Sequence, residues 1–283
     1  MARTKTYGND SISALKGADR VRLRPSVIFG SDGLEGCQHS FFEILSNSID
    51  EAREGYGDTI EVIRHKDGSL SVRDHGRGIP LDFNQRENRY NWELVYCELY
   101  AGGKYDNLTG DHYEFSLGLN GLGACATQYA SAWFDVEVVR DGFRHKLHFE
   151  KGENLGGLEK EPVRTRSTGT YQRWMPDRDV FTETAIPTSY FRDTLKRQAV
   201  VNAGIRFVFQ DEAEGTREDF LYPDGILGYV REMAAEGGLS TPVLIEGQGR
   251  GRDRADKPEY KVKVQAAFVF HNEVNCLEYY HNS

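Results

Sequence analysis

No run of apolar residues in this sequence approaches the ~20 needed to span a bilayer. The opening stretch, MARTKTYGND, is followed by no apolar segment of the secretory kind. A membrane role is therefore not expected, and the chain is read as cytoplasmic. Cysteine is sparse. Cys37, Cys97, Cys125 and Cys276 are scattered without a C-x-x-C pair, so they read as reduced thiols and not as a zinc site or disulfide framework. His145 and His148 sit in RHKLHFE, a strand-like run that turns them to opposite faces, so they are not expected to share a metal. Positive charge is short as well. At a net charge of −9 the chain does not advertise the basic face of a nucleic-acid-binding module. Its two basic clusters, LKGADRVRLRP and GQGRGRDR, read as solvated surface or loop. Internal repeats and low-complexity tracts are lacking.

The 283 residues, 39% of them hydrophobic, suffice for one large domain or two smaller ones. DGLEGCQHSFFEILSNSIDEAREGYG is the strongest predicted helix, with Phe41, Phe42, Leu45 and Ile49 at helical spacing and Gly55 and Gly57 at its end. TIEVIRHKDGSLSVRDHG reads as a hairpin about Asp67-Gly68, and WFDVEVVRDGFRHKLHFEKG as another about Asp141-Gly142. NWELVYCELYAGG is a second amphipathic helix, LGACATQYAS a small-residue helix, and KYDNLTGDHYEFSLGLNGLG a long loop, of a length usually tied to function. GTYQRWMPD and GIRFVFQD are strands flanking the helix SYFRDTLKRQAVVN. This order predicts an α+β fold, a two-layer sandwich with a mixed, mostly antiparallel sheet. Composition shifts at Pro223, Asp224 and Gly225. The expected division is an arm over residues 1–13, a domain over 14–223, and over 224–283 the truncated beginning of a second α/β domain.

Four stretches carry chemistry. In SVRDHGRGIP, Asp74 closes a strand and Gly76 and Gly78 follow. Glycine there permits a sharp turn or a close approach of backbone to a ligand, and a buried aspartate needs a hydrogen-bond partner; a self-capping turn is the plain alternative. In FFEILSNSIDEA, Glu43 and Asn47 share a helix face, with Asp50 and Glu51 further on. An Asn oxygen suits Mg²⁺ held mostly by phosphates and water, and a Glu one turn away suits the deprotonation of water attacking a phosphate. A solvated acidic face is the alternative. GLNGLG, from Gly118 to Gly123, opens a helix with glycine-rich backbone able to face an anion. It matches neither G-x-G-x-x-G nor the P-loop G-K-[ST]. In STGTY, Thr170 can donate to and accept from a polar base edge.

Taken in order, these stretches resemble the N-terminal ATPase region of the B subunit of bacterial type IIA DNA topoisomerases, gyrase and topoisomerase IV. More broadly they resemble the family shared with Hsp-type chaperones, histidine kinases and MutL. The resemblance runs from about Tyr7 to Asn202 and includes LKGADRVRLRP and LYAGGKYD. It implies a Bergerat-type ATPase sandwich followed by the start of a transducer domain. It implies ATP and Mg²⁺ as ligands, with Asp74 accepting from the adenine amino group beside Thr170, and Gly76 and Gly78 passing under the base. Glu43 would be the general base and Asn47 the Mg²⁺ ligand. Arg77 and Glu51 would pair at the rim. Gly102, Gly103 and Lys104 would begin a lid carrying Tyr113. Gly118, Leu119, Asn120, Gly121, Leu122 and Gly123 would line the phosphates. Asp50, Ile79, Pro80 and Val95 complete the implied nucleotide set, and Arg140 is implied as the contact of aminocoumarin-type inhibitors. Implied partners are a second copy, reached by the arm with Tyr7, and in the full assembly an A-type subunit and double-stranded DNA.

Two positions depart from the family pattern: Asn120 stands where histidine is usual, and His75 where a second acid or Asn is common. Binding is expected to survive both. The chain stops before the family's downstream lysine loop, so this piece is expected to bind ATP and turn it over weakly. The main reading is the ATP-hydrolysing part of a topoisomerase that dimerises on ATP to drive strand passage. The competing reading is a nucleotide-binding switch without efficient turnover.

Overall fold

The computed structural model describes residues 14–101, 117, 121–235, 237–252, 254–256 and 259–280; the arm expected over residues 1–13 lies outside them. Two short helices, α1 (Asp19–Arg22) and α2 (Pro25–Phe29), lead into the long helix α3 (Leu34–Arg53). The hairpin β1 (Thr59–Arg64) and β2 (Leu70–Asp74) follows, then the small pair β3 (Phe83–Asn84) and β4 (Arg89–Tyr90) and helices α4 (Asn91–Cys97) and α5 (Gly123–Tyr129). Next come β5 (Ser131–Arg140), β6 (Phe143–Glu150), β7 (Glu153–Pro162), β8 (Gly169–Pro176), α6 (Thr188–Val201), β9 (Arg206–Asp211) and β10 (Thr216–Phe220). Helix α7 (Gly225–Ala234) and the pair β11 (Val243–Gly251) and β12 (Tyr260–Phe268) complete the order.

Eight strands form one sheet in the order β10-β9-β1-β2-β8-β5-β6-β7. Its pairs are antiparallel except β1 with β9. Helix α3 lies on β1, β2 and β8, α5 on β5, and α6 on β9 and β10. This is the two-layer α+β sandwich that the element order predicts. Period-two alternation explains the layering: Val72, Val136, Val138 and Trp174 turn inward and are buried, while Arg73 stacks on Tyr171 on the outer face. Helix α3 answers with Phe41, Ile44, Leu45 and Ile49, all fully buried. Phe41 touches the Phe191 ring at 5.0 Å and stacks on Trp174 at 6.5 Å, tying α3 to α6 and β8. Beyond Glu54, Gly55 takes φ 85° and ends the helix as predicted.

Some elements differ from expectation. The second amphipathic helix is only α4, ending at Cys97, because Glu98 is already extended. Strands β7 and β10 have no counterpart in the predicted order. β7 has lysine and glutamate in place of an apolar alternation, and Gly156 and Gly157 at positive φ accompany its register shift against β6. β10, TREDF, is a charged edge strand paired with β9. The segment read as a Gly/Arg-rich loop is largely strand: Gly247, Gly249 and Gly251 recur every second residue in β11 and face Val264, Val262 and Tyr260. Buried Cys37 has its thiol pushed up to about 12 by desolvation, and the described cysteines are all unpaired. Among the described residues no helix is long and apolar enough to cross a membrane.

Phe41→Ala is expected to destabilise the chain by about 3–5 kcal/mol, the cost of an aromatic deletion in a packed core. Val27→Ala, at a residue 76% exposed, should fall within about 0.5 kcal/mol of the parent. Chemical denaturation of the three proteins measures both.

Candidate functional site

Alternation along β2 turns Leu70, Val72 and Asp74 toward the helices. The Asp74 carboxylate is thereby buried, at 9% exposure, and must be hydrogen-bonded. Its Oδ1 accepts the backbone N–H groups of Gly76 and Thr170, each at 3.1 Å. Its Oδ2 accepts the Ser48 hydroxyl at 2.9 Å. Burial raises the Asp74 pKa above the ordinary carboxylate value, and the three donors act against that rise. With about two acceptor positions per oxygen, Oδ1 is filled and Oδ2 keeps one.

The turn after Asp74 is pinned to the start of β8. Gly78 has φ 79°, and a Cβ there would stand 2.8 Å from the Val139 carbonyl, so the position takes glycine on conformation and on space. The Gly78 carbonyl accepts Arg140 Nη1 at 2.7 Å. The Ile79 N–H donates to Thr170 Oγ1 at 3.2 Å, and the Thr168 hydroxyl to the Gly76 carbonyl at 2.5 Å. Arg77 sends its backbone N–H, Nε and Nη2 to Glu51 at 2.9, 2.8 and 2.9 Å. Its guanidinium lies over the Tyr56 ring at 3.8 Å. His75 leans away, toward Glu61 Oε1 at 2.9 Å.

A second cluster occupies the first half of α3. His39 Nδ1 lies 3.1 Å from the Phe29 carbonyl, and its Nε2 lies 3.1 Å from Glu43 Oε1. A carbonyl only accepts, so Nδ1 carries a proton; a neutral ring would then face the carboxylate with a lone pair. Both contacts can be hydrogen bonds at once only when the ring is protonated, as imidazolium against carboxylate. The His39 pKa is raised accordingly, first by the hydrogen bond to Glu43. Gly123, opening α5, lies so close to the Glu43 carboxylate that an added Cβ would overlap it. Asn47 Nδ2 donates to the Glu43 carbonyl one turn back, at 3.1 Å. Asp50 is buried, and its Oδ1 accepts the Leu117 N–H at 2.7 Å, anchoring the backbone that precedes the glycine-rich stretch.

The structure thus gathers Asp74, Gly76, Arg77, Gly78, Ile79, Arg140, Thr170 and Glu51 around one turn, and Glu43, Asn47 and Gly123 around one helix face. Gly121 and Leu122 lead into α5. Pro80 is exposed, and Val95 packs half-buried against the core; neither makes a polar side-chain contact. Gly102, Gly103, Lys104, Tyr113, Gly118, Leu119 and Asn120 lie outside the described residues. Sequence reasoning misses Ser48, His39 and Tyr56. Ser48 has a signal: it falls in the apolar stripe seven residues after Phe41, where a serine must find an internal partner. His39 has one in its i,i+4 spacing to Glu43. Among the described residues no group of three or more His, Cys, Asp or Glu is placed to hold a metal. The Asn47 amide beside a carboxylate fits a hard cation held mainly by phosphate and water, not a protein cage.

No family model matches the chain. The DNA gyrase B protein of Thermotoga maritima is 37% identical over 227 residues, 80% of this chain and 35% of that protein. The DNA gyrase B protein of Thermus thermophilus is 38% identical over 245 residues, 86% of this chain and 38% of that protein. That of Caulobacter vibrioides is 32% identical over 286 aligned residues, 96% of this chain and 34% of that protein. The chain thus spans roughly a third of the length of the curated relatives it matches. Among solved structures, the 43K ATPase domain of Thermus thermophilus gyrase B, in complex with an aminocoumarin, matches with a TM-score of 0.69 and 35% identity. That match covers 82% of this chain and 59% of that domain.

An acid whose pKa is raised by folding holds its proton more tightly in the folded state. Its ionisation costs no stability below the unfolded value of 3.8; the cost grows as pH rises from there to the raised value and is constant above it. Asp74→Asn keeps an acceptor for Gly76 and Thr170 and removes the buried charge. It is expected to melt higher than the parent at pH 7, by about 2–4 °C per kcal/mol relieved, with the gain shrinking as pH falls toward 3.8. Thermal melts across pH check this.

Proposed function

By sequence and by fold the chain is a member of the DNA gyrase B family, matching the part that carries the ATPase domain, and from that premise we propose that it binds and hydrolyses ATP. The observation that carries this reading is the Asp74 carboxylate, buried and held by three protein donors with one acceptor position left on Oδ2. That position suits the exocyclic amino group of adenine. Guanine would bring its carbonyl oxygen against the same carboxylate and be repelled. Thr170 stands beside it, accepting from Ile79 and keeping its own O–H to donate. Gly76 and Gly78 lie under the base, and the Arg77–Glu51 pair closes the rim.

Toward the other end of α3, Glu43 is the proposed general base for the attacking water. His39 holds one of its oxygens and sets its direction. A chain that only sensed nucleotide would need neither, which favours hydrolysis over the switch reading. Asn47 would hold Mg²⁺, which would supply positive charge toward the phosphoryl group being transferred. The segment from Gly118 to Gly123 would offer backbone N–H groups to the phosphates, with Lys104 and Tyr113 in the lid. In the full assembly the nucleotide would close a dimer of two copies, acting with an A-type subunit on double-stranded DNA in a cytoplasmic setting. The Thermus domain's aminocoumarin complex, and Arg140 at the rim on the Gly78 carbonyl, support binding of that inhibitor class. We also infer that α7, which packs on α6 and β12, opens a second domain from residue 224.

Calorimetric titration with an ATP analogue and Mg²⁺ tests the base site. Asp74→Ala should lose about 1.5–3 kcal/mol, at least tenfold in affinity; unchanged affinity would refute the adenine assignment. Glu43→Gln should bind within a few-fold of the parent and hydrolyse about 10²–10⁴-fold more slowly. Equal hydrolysis would remove Glu43 from the reaction. His39→Ala carries its own pH signature. The raised His39 pKa means that its pairing with Glu43 is complete below 6.5 and is lost as pH rises through the raised value. The stability difference between His39→Ala and the parent should therefore be larger in mild acid than in alkali, where only the Nδ1–H bond to the Phe29 carbonyl and the contact of the two rings remain, as read by thermal melts.

A further inference from the structure

Tyr96 and Gln172 form a polar pair in apolar surroundings. Tyr96, on α4, is fully buried between the rings of Phe134 at 5.9 Å and Phe149 at 5.8 Å. Its hydroxyl donates to Gln172 Oε1 at 3.2 Å. Gln172, on β8, is 2% exposed and sits in register between Val72 of β2 and Val136 of β5. Aliphatic residues would pack such a position without any hydrogen-bonding requirement.

The pair stands directly behind the base site. Gln172 shares its face of β8 with Thr170, about 7 Å further along the strand and one step deeper than Asp74. The Asp74 charge acts on the Tyr96 hydroxyl, which burial and that charge together make a weaker acid. Because Tyr96 takes Oε1, the other end of the amide, Nε2, is turned away from it. That nitrogen donates to none of the described residues, yet it is not sealed from solvent. Its face of β8 is the one on which the Thr170 hydroxyl meets the turn after Asp74.

We propose that Gln172 is a specificity-determining residue of the nucleotide pocket, its amide nitrogen donating to N1 of the bound adenine, and that Tyr96 is the residue positioning this amide. The proposal rests on the reading of the pocket as an adenine site. The pocket then presents an acceptor, Asp74 Oδ2, beside a donor, Gln172 Nε2, in the order that meets the adenine amino group and N1. Hypoxanthine, with a carbonyl and an N1–H, meets both with the wrong polarity.

The test is calorimetric binding of ATP and of 1-deaza-ATP, in which a C–H replaces N1 and the amino group is kept. The proteins are the parent chain, Gln172→Met and Tyr96→Phe. The parent is expected to prefer ATP by about three- to tenfold, the worth of one hydrogen bond. Gln172→Met, which keeps length and bulk, should lose that factor for ATP and bind 1-deaza-ATP as the parent does. The preference would then fall to about one. Tyr96→Phe should reduce the preference in the same direction and carries the test should the methionine variant not fold. A preference unchanged in the folded variants overturns the proposal and leaves the adenine site standing. A folded parent that binds neither nucleotide overturns the adenine reading and the proposal together.

Discussion

A carboxylate buried at the end of a central strand can persist only where the chain delivers donors to it from several directions. Asp74 sets that requirement, and three separate elements meet it. The turn brings back the Gly76 N–H, β8 contributes the Thr170 N–H, and α3 lays the Ser48 hydroxyl on the other oxygen. These bonds fix the exit of β2, the register of β8 beside it and the rotation of α3 over the sheet. The same geometry leaves one acceptor position on Oδ2. Fold and proposed site thus share one device, and the donors that make the charge tolerable also orient what remains of it.

Helix α3 then acts as the spacer between the two ends of the site. From Glu43 to Glu51 the axis advances about 12 Å. The rim pair with Arg77 lies at one end, and the His39–Glu43 contact at the other. Both polar clusters sit on a helix whose opposite stripe is locked into the core by Phe41, Ile44, Leu45 and Ile49. A rigid helix suits a ligand whose base and terminal phosphate must be held at once, because positions set by packing cost nothing further to order on binding.

Periodicity makes most of the fold legible. Two hairpins, α3, α5, α6, β8 and β9 follow from patterns of two and 3.6 residues together with glycine stops. Asp74, Glu43 and Thr170 are legible as candidates only together, through the resemblance of their stretches to the family; singly, a turn or a solvated helix face would account for each. Tyr96 and Gln172 are not, since a glutamine within a strand reads as surface until its partner across the fold is known. β7 and β10 are hidden for a related reason. Edge strands carry charge to discourage further pairing, and that removes the alternation by which strands are recognised. β11 reads as a loop because of its glycine and arginine, whereas its glycines recur with period two against Tyr260, Val262 and Val264.

The two oxygens of Glu43 are not equivalent, and this bears on how the proposed reaction would proceed. Oε1 is engaged by His39, whose protonated ring can donate to it and to the Phe29 carbonyl at once. Oε2 lies against Gly123, so closely that a Cβ there would overlap it. With Oε1 engaged by His39, a water to be deprotonated would meet Oε2, beside the start of α5 and the backbone proposed to hold the phosphates. Glycine suits that position for a second reason besides any contact with phosphate: a side chain would overlap the carboxylate proposed as the base. His39, four residues before Glu43 on the same helix face, can orient the carboxylate through Oε1 and leave Oε2 to the reaction proposed.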